Sequence, residues 1–166
     1  AKVTQEVLWL ARSQAADLLK RDLTQLRAEL SMACANEELA RLTNNAREPY
    51  RHLLAQLIQR LEATLNWLEA KLKGQGYADD QVLTQVDEIY EPLLLCFTSL
   101  KEEGMQAVAE GLLLDVLRRV QTFGLHLLRL DIRQEAPRHT QALSEITQFL
   151  GLGDFANWQE DQQLEF

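Results

Sequence analysis

The chain has 166 residues, 46% hydrophobic and 25% charged, with a formal net charge of −8. That length supports one domain with a sizeable core, and the acidic balance argues against a general nucleic-acid surface. No apolar run is long enough to span a bilayer and no basic-then-apolar leader begins the chain, so the expected setting is the cytoplasm.

Only 3 prolines and 7 glycines are present, and β-branched residues are scarce beside Leu, Ala, Gln and Glu, a balance that favours helix. The first predicted element is a long amphipathic helix over about 3–33. Val7, Leu8, Ala11, Ala15, Leu18, Leu19, Leu23, Leu26 and Leu30 share one face, and Thr4 is placed to cap its start. Asn36, followed by Glu37 and Glu38, opens a short helix, and Asn44-Asn45 marks a turn. Pro49 suits the first turn of a third helix, which runs to about Lys73 and ends at Gly74-Gln-Gly76. A fourth is expected over about 80–101, kinked or divided by Pro92. Gly104 and Gly111 flank a short connecting helix, a fifth long element covers 112–123, and Gly124 breaks it.

The period then changes. Leu128, Leu130 and Ile132 alternate with Arg129, Asp131 and Arg133, as in a β-strand with one apolar and one ionic face. A lone strand cannot satisfy its own backbone hydrogen bonds, so it reads as one stave of a larger sheet. Pro137 starts a further helix to about Leu150, Gly151-Leu-Gly153 closes it, and the polar tail from about 159 to 166 is expected to fray. The fold class is therefore mainly α: a bundle-like helical segment over 1–166, read as a piece of a bigger enzyme, with at most one short strand near 127–132.

Candidate chemistry concentrates after residue 117. Arg118, Arg119, Arg129, Arg133, Arg138 and His139 form a local basic cluster in an acidic chain. The face Arg129, Asp131, Arg133 is either a solvated strand face, with Asp131 bridging two arginines, or a site where one guanidinium fork grips a phosphate or carboxylate. Arg133 is the one to single out, because polar residues near the C-terminal ends of barrel strands project into the active-site mouth. Arg138 and His139, at a helix start, either cap and pair locally or favour an anion. His52 and His126 read as structural. Adjacent acids such as Asp79-Asp80 and Glu102-Glu103 point to different sides of a helix and read as solvated charge. Trp9, Trp67 and Trp158 read as packing residues. Cys34 and Cys96 lack metal-ligand spacing and are expected to pack in the apolar interior of a protein in a reducing compartment.

The run from Phe123 to Glu135, with Arg138-His-Thr140 after it, closely resembles a signature stretch of the phosphoenolpyruvate carboxylase family. Glu29-Leu-Ser-Met32, Glu48-Pro-Tyr-Arg51, Trp67-Leu-Glu-Ala70, Lys71-Leu-Lys-Gly74, Glu91-Pro-Leu93, Leu114-Asp-Val-Leu-Arg-Arg119 and Leu150-Gly-Leu-Gly-Asp154 match in the same order, in the bacterial form. The resemblance implies an internal segment of a large cytoplasmic homotetramer built on a barrel of parallel strands among many helices. Such a lyase combines phosphoenolpyruvate with bicarbonate, using Mg²⁺ or Mn²⁺, to give oxaloacetate for the tricarboxylic acid cycle, and phosphate. It implies that Arg133 contacts phosphoenolpyruvate and that Asp131, Gln134 and Glu135 support it. Catalytic histidines and metal-binding acids would lie outside the segment, so no catalytic residue and no metal ligand is expected within it. Ala136 and Pro137 depart from the family pattern, where Ser and a polar residue are commoner, and a hydroxyl hydrogen bond is lost there. Arg51 matches the family but carries no assigned task, and the same holds for Arg138 and His139. The implied partners are the rest of the same polypeptide, the two substrates and further copies of the chain, with no nucleic acid and no membrane. Alone, the segment is expected to be inactive. The alternatives are a free-standing helical interaction module without catalysis, and a small independent enzyme using the basic cluster.

Overall fold

A computed structural model describes residues 2–126 and 135–166. Every regular element among them is helical, in agreement with the mainly α class. The strand expected near 127–132 lies outside the described residues. The chain groups into two compact units, Ala1–Arg129 and Leu130–Phe166, where the sequence reading treats 1–166 as one segment.

In the first unit, helix α1 covers Lys2–Glu29. It begins before Thr4, which therefore lies inside the helix and not at its cap. It also ends short of residue 33, leaving 30–36 as an irregular connection. Helix α2, Glu37–Leu42, is capped as expected: Asn36 Oδ1 accepts the Leu39 amide at 3.0 Å. The same Asn36 donates its own amide to Ser99 Oγ at 2.9 Å, so the cap is also a tertiary tie. Asn44 and Asn45 take φ of 54° and 56°, the left-handed turn their side chains tolerate. Helix α3, Pro49–Leu72, starts on its proline and is closed by Gly74 at φ 70°.

Helix α4, Asp87–Glu102, begins well after the predicted Asp80, and Pro92 does not divide it. A short helix α5, Gln106–Val108, leads into a π-helical turn at Ala109–Leu113, then α6, Leu114–Phe123. Gly111, at φ −82° and ψ −137°, marks the kink between α5 and α6.

The core of this unit is built from the facing apolar stripes. Helices α1 and α3 form its most extensive pair, through Leu23, Leu26, Tyr50, Leu54 and Leu61. Ile89, Leu93 and Leu100 from α4, with Val116 and Val120 from α6, close the other side, all at 1% exposure or less. Of the stripe predicted over 3–33, Ala15, Leu19, Leu23, Leu26 and Leu30 are buried, whereas Val7, Leu8 and Leu18 are exposed. Cys96 is buried on α4 as expected, but Cys34 is exposed. Its expected packing role fails because α1 stops at Glu29 and Cys34 falls in the connection, not on a helix face.

The second unit holds helix α7, Ala136–Phe149, a 3₁₀ turn at Phe155–Asn157 and helix α8, Glu160–Glu165. The tail expected to fray is thus helical. Gln159 and Gln162 form a reciprocal capping box, and Gln163 Nε2 donates to the Phe155 carbonyl at 2.8 Å. Phe166 closes an aromatic cluster, its ring 5.5 Å from Trp158 and 6.1 Å from Phe155.

Candidate functional site

The candidate site lies in the stretch Asp131–Glu135. Arg133, Asp131 and Gln134 lie outside the described residues, whereas Glu135 and both flanks are described. On the N-terminal flank, α6 buries Val116, Leu117 and Val120 and stops at Gly124, whose amide donates to the Val120 carbonyl at 2.8 Å. Gly124 then turns the chain at φ 58° and ψ −139°, a region closed to most side chains. A Cβ placed on it would stand 2.9 Å from Cγ2 of Val86, so the backbone there runs hard against that side chain. Leu125 follows at 2% exposure, and the His126 amide donates back to the Phe123 carbonyl at 3.1 Å.

Val86 is itself held. Its carbonyl accepts from the amides of Ile89 and Tyr90, both at 3.0 Å, in the first turn of α4. Glu88 accepts from the amides of Thr84 (2.9 Å) and Gln85 (3.2 Å) and from Arg60 Nη2 (2.8 Å). Burial by itself pushes the Glu88 carboxyl up, but these donors outweigh it and hold the group below its ordinary range. Three residues before Val86, Leu83 is fully buried and pinned at both backbone groups. Its amide donates to Thr64 Oγ1 at 2.9 Å and its carbonyl accepts from Arg12 Nη2 at 2.6 Å.

The Arg12 guanidinium lies 5.4 Å from the centre of the Trp67 ring, and Lys71 Nζ lies 5.7 Å from that centre. Among the described residues its Nε has no hydrogen-bond partner. Burial pushes the Arg12 pKa down, with Glu88 opposing. Desolvation, and then the Arg12 charge, lower that of His126, although much of that ring faces solvent.

On the C-terminal flank, Glu135 is the extended residue before α7, at φ −63° and ψ 141°. Its carbonyl accepts from the amides of Arg138 at 2.9 Å and His139 at 3.4 Å, which starts the helix, while its side chain makes no cap bond. Pro137 fits this first turn because it needs no amide partner there. Arg138 and His139 are exposed on that turn. This flank thus ends the candidate segment in a helix start bearing two basic side chains.

The family model of phosphoenolpyruvate carboxylase matches residues 1–166. The chain belongs to the phosphoenolpyruvate carboxylase family. It is similar to phosphoenolpyruvate carboxylases of Marinobacter nauticus (49% identity, 99% of this chain and 19% of that protein) and Hahella chejuensis (48%, covering 100% and 19%). One from Pseudomonas putida is 52% identical, again over 100% of this chain and 19% of its own length. The chain therefore spans about a fifth of the length of these curated relatives.

Within this phosphoenolpyruvate carboxylase segment, two members of the six-residue basic cluster, Arg129 and Arg133, lie outside the described residues. Arg119 pairs with Asp22 of α1 and Arg118 with Asp115 at 3.7 Å, in the first unit, whereas Arg138 and His139 belong to the second. Arg51, which the sequence left without a task, receives one. Its Nε and Nη2 donate to the carbonyls of Arg27 (3.0 Å) and Ala28 (3.1 Å) at the end of α1, and its Nη1 to Glu48 (3.0 Å). The guanidinium thus satisfies helix-end carbonyls that have no partner within α1. The i, i+3 spacing of Glu48 and Arg51 at a helix start was the available signal. Arg12 carried no sequence signal at all, since its partners are distant in the chain.

Among the described residues, no group of three or more His, Cys, Asp or Glu could hold a metal ion. Among the same residues, no helix is long and apolar enough to cross a membrane.

Proposed function

We propose that this chain is an internal segment of a phosphoenolpyruvate carboxylase, a lyase that joins phosphoenolpyruvate to bicarbonate and releases oxaloacetate and phosphate. The observation that carries the reading is the family match over all 166 residues, by relatives of which the chain spans only 19%. The same match disfavours a free-standing helical interaction module, because an enzyme family accounts for the chain from end to end.

In this reading Arg133 presents its planar fork to the phosphate or carboxylate of phosphoenolpyruvate. Negative charge develops as the enolate of pyruvate and carboxyphosphate form, and fixed cations in a dry site hold it. Asp131, Gln134 and Glu135 hold the arginine in place, Glu135 by anchoring the segment to the start of α7. The divalent metal, Mg²⁺ or Mn²⁺, polarises oxygen ligands and neutralises charge when bound. The described residues of this chain do not fit it, and its ligands belong to other parts of the polypeptide. The full protein is then a cytoplasmic homotetramer that replenishes the tricarboxylic acid cycle, with neither nucleic acid nor membrane as a partner.

The test uses the full-length protein in a coupled assay for oxaloacetate with Mg²⁺. Arg133→Ala is expected to lower turnover by roughly 10²–10³, the scale for removing one preorganised donor. The 166-residue chain alone is expected to yield no oxaloacetate. Unchanged kinetics in the Arg133 variant would remove this residue from the site. Absence of carboxylation by the full-length protein would remove the reading itself.

A further inference from the structure

Between α1 and α6 the first unit leaves an apolar groove open, with a volume of about 290 Å³. Ala15 and Leu19, both buried, form its floor, and Leu18 of α1 and Phe123 of α6, each 50% exposed, form its walls. Two charged residues stand at its edge, Asp22 and Arg119, and they pair with each other. With those charges matched, the groove offers no free polar group to orient a polar metabolite.

The groove opens onto a second apolar stripe of α1. Val7, Ala11, Ala15 and Leu18 follow at helical spacing on one side of the helix, over about 16 Å of its length. Helix α6 ends at Phe123, and Val7 is 53% exposed, so the stripe runs out from under α6 toward the start of α1. A single turn of helix, about 10 Å across and 5.4 Å long, already exceeds the volume of the groove. Its occupant therefore lies across the mouth and inserts side chains, as knobs enter a hole. A second copy using the same face would set the groove against itself, and two concave surfaces leave both unfilled. The chain spans only 19% of the length of its relatives, so about four fifths of such a polypeptide lies elsewhere. That remainder is joined covalently and competes for the groove at a high effective concentration.

We propose that the α1–α6 groove and the Val7–Leu18 stripe are a docking face for an apolar element of the same subunit that lies outside these 166 residues. This rests on reading the chain as an internal segment of a longer polypeptide. The element presents large apolar side chains to Leu18 and Phe123 and passes Asp22 and Arg119 with its polar side.

The experiment uses the full-length polypeptide. A photoreactive benzophenone side chain replaces Leu18 in one variant and Phe123 in another, positions already half exposed in the first unit. After irradiation and proteolysis, mass spectrometry identifies the cross-linked peptide. Mixing light with ¹⁵N-labelled protein separates cross-links within a subunit from those between subunits. Both variants are expected to capture one common peptide, from the same subunit and from outside 1–166. Should either variant fail to fold, the same probe at Val7 takes its place, with the same expected peptide. Leu18→Cys is expected to be alkylated at least about 10-fold more slowly in the native protein than in the urea-unfolded one. A peptide from within 1–166, a peptide from another subunit, no cross-link at all, or equal alkylation rates overturns the inference. A native protein of only 19.0 kDa, with no further polypeptide, overturns the segment reading itself and this inference with it.

Discussion

Cys96 is buried on α4, and desolvation pushes its pKa from 9.0 up to about 12. Cys34 is exposed in the connection after α1. A thiol reagent at pH 8 should therefore titrate one cysteine in the native protein and two in denaturant. Two reactive thiols in the native state would contradict the burial of Cys96. The sign of the linkage follows from the raised folded value. The unfolded chain ionises near pH 9 while the folded chain stays protonated, so this contribution to stability is complete below about pH 9 and is lost progressively toward pH 12. Cys96→Ala should flatten the alkaline limb of the stability curve, read by urea unfolding at pH 8 and pH 10. From sequence the two cysteines look alike, since both sit among apolar residues at near-helical spacing. They differ because α1 ends at Glu29, a boundary no residue near Cys34 announces. Arg51 teaches the same lesson from the polar side, since its three bonds reach the end of another helix.

At the scale of elements, the start of α4 shows where periodicity misleads. Leu83, Val86 and Ile89 recur every three residues, as in a helix, yet the chain before Asp87 is a loop. Leu83 is buried there by tertiary hydrogen bonds to Thr64 and Arg12. A local signal was present nonetheless: Thr84 followed by Asp87 and Glu88 is the composition of a helix start, and Glu88 does accept the Thr84 and Gln85 amides. Thr64→Val keeps the side-chain shape but leaves the buried Leu83 amide without an acceptor, a loss of about 1–3 kcal/mol. The fall should appear as a lower urea midpoint at unchanged slope. An unchanged midpoint would mean that the Thr64 hydroxyl does not hold this loop. The terminal helix α8 was missed for a related reason, because its polar sequence has no apolar stripe. Its cap glutamines and the Phe155–Trp158–Phe166 cluster stabilise it instead.

For the whole molecule, the apolar residues that remain at the surface are as informative as the core. Val7, Leu8, Leu10 and Leu18 on α1 are each 43–53% exposed, and in the second unit Phe149 is 90% and Leu164 79% exposed. Large apolar groups left in water are unfavourable at roughly 25 cal/mol per Å². The 166-residue chain should therefore enhance the fluorescence of an apolar dye, and Leu8→Ser with Phe149→Ser should weaken that response. A signal no greater than that of a well-packed control protein would show these faces to be covered. The amino-acid sequence by itself determined the helical class, the elements begun at Asn36, Pro49 and Pro137, the breaks at Gly74 and Gly124, and the family motif around Arg133. These depend on period, cap chemistry and φ, which act over a few residues. Only the tertiary structure decided where α4 starts, which cysteine is buried, what Arg51 does, and that Val86 stands against Gly124. Those outcomes depend on partners remote in the chain, as with Arg12 and Leu83, 71 residues apart, and no local pattern specifies such a meeting.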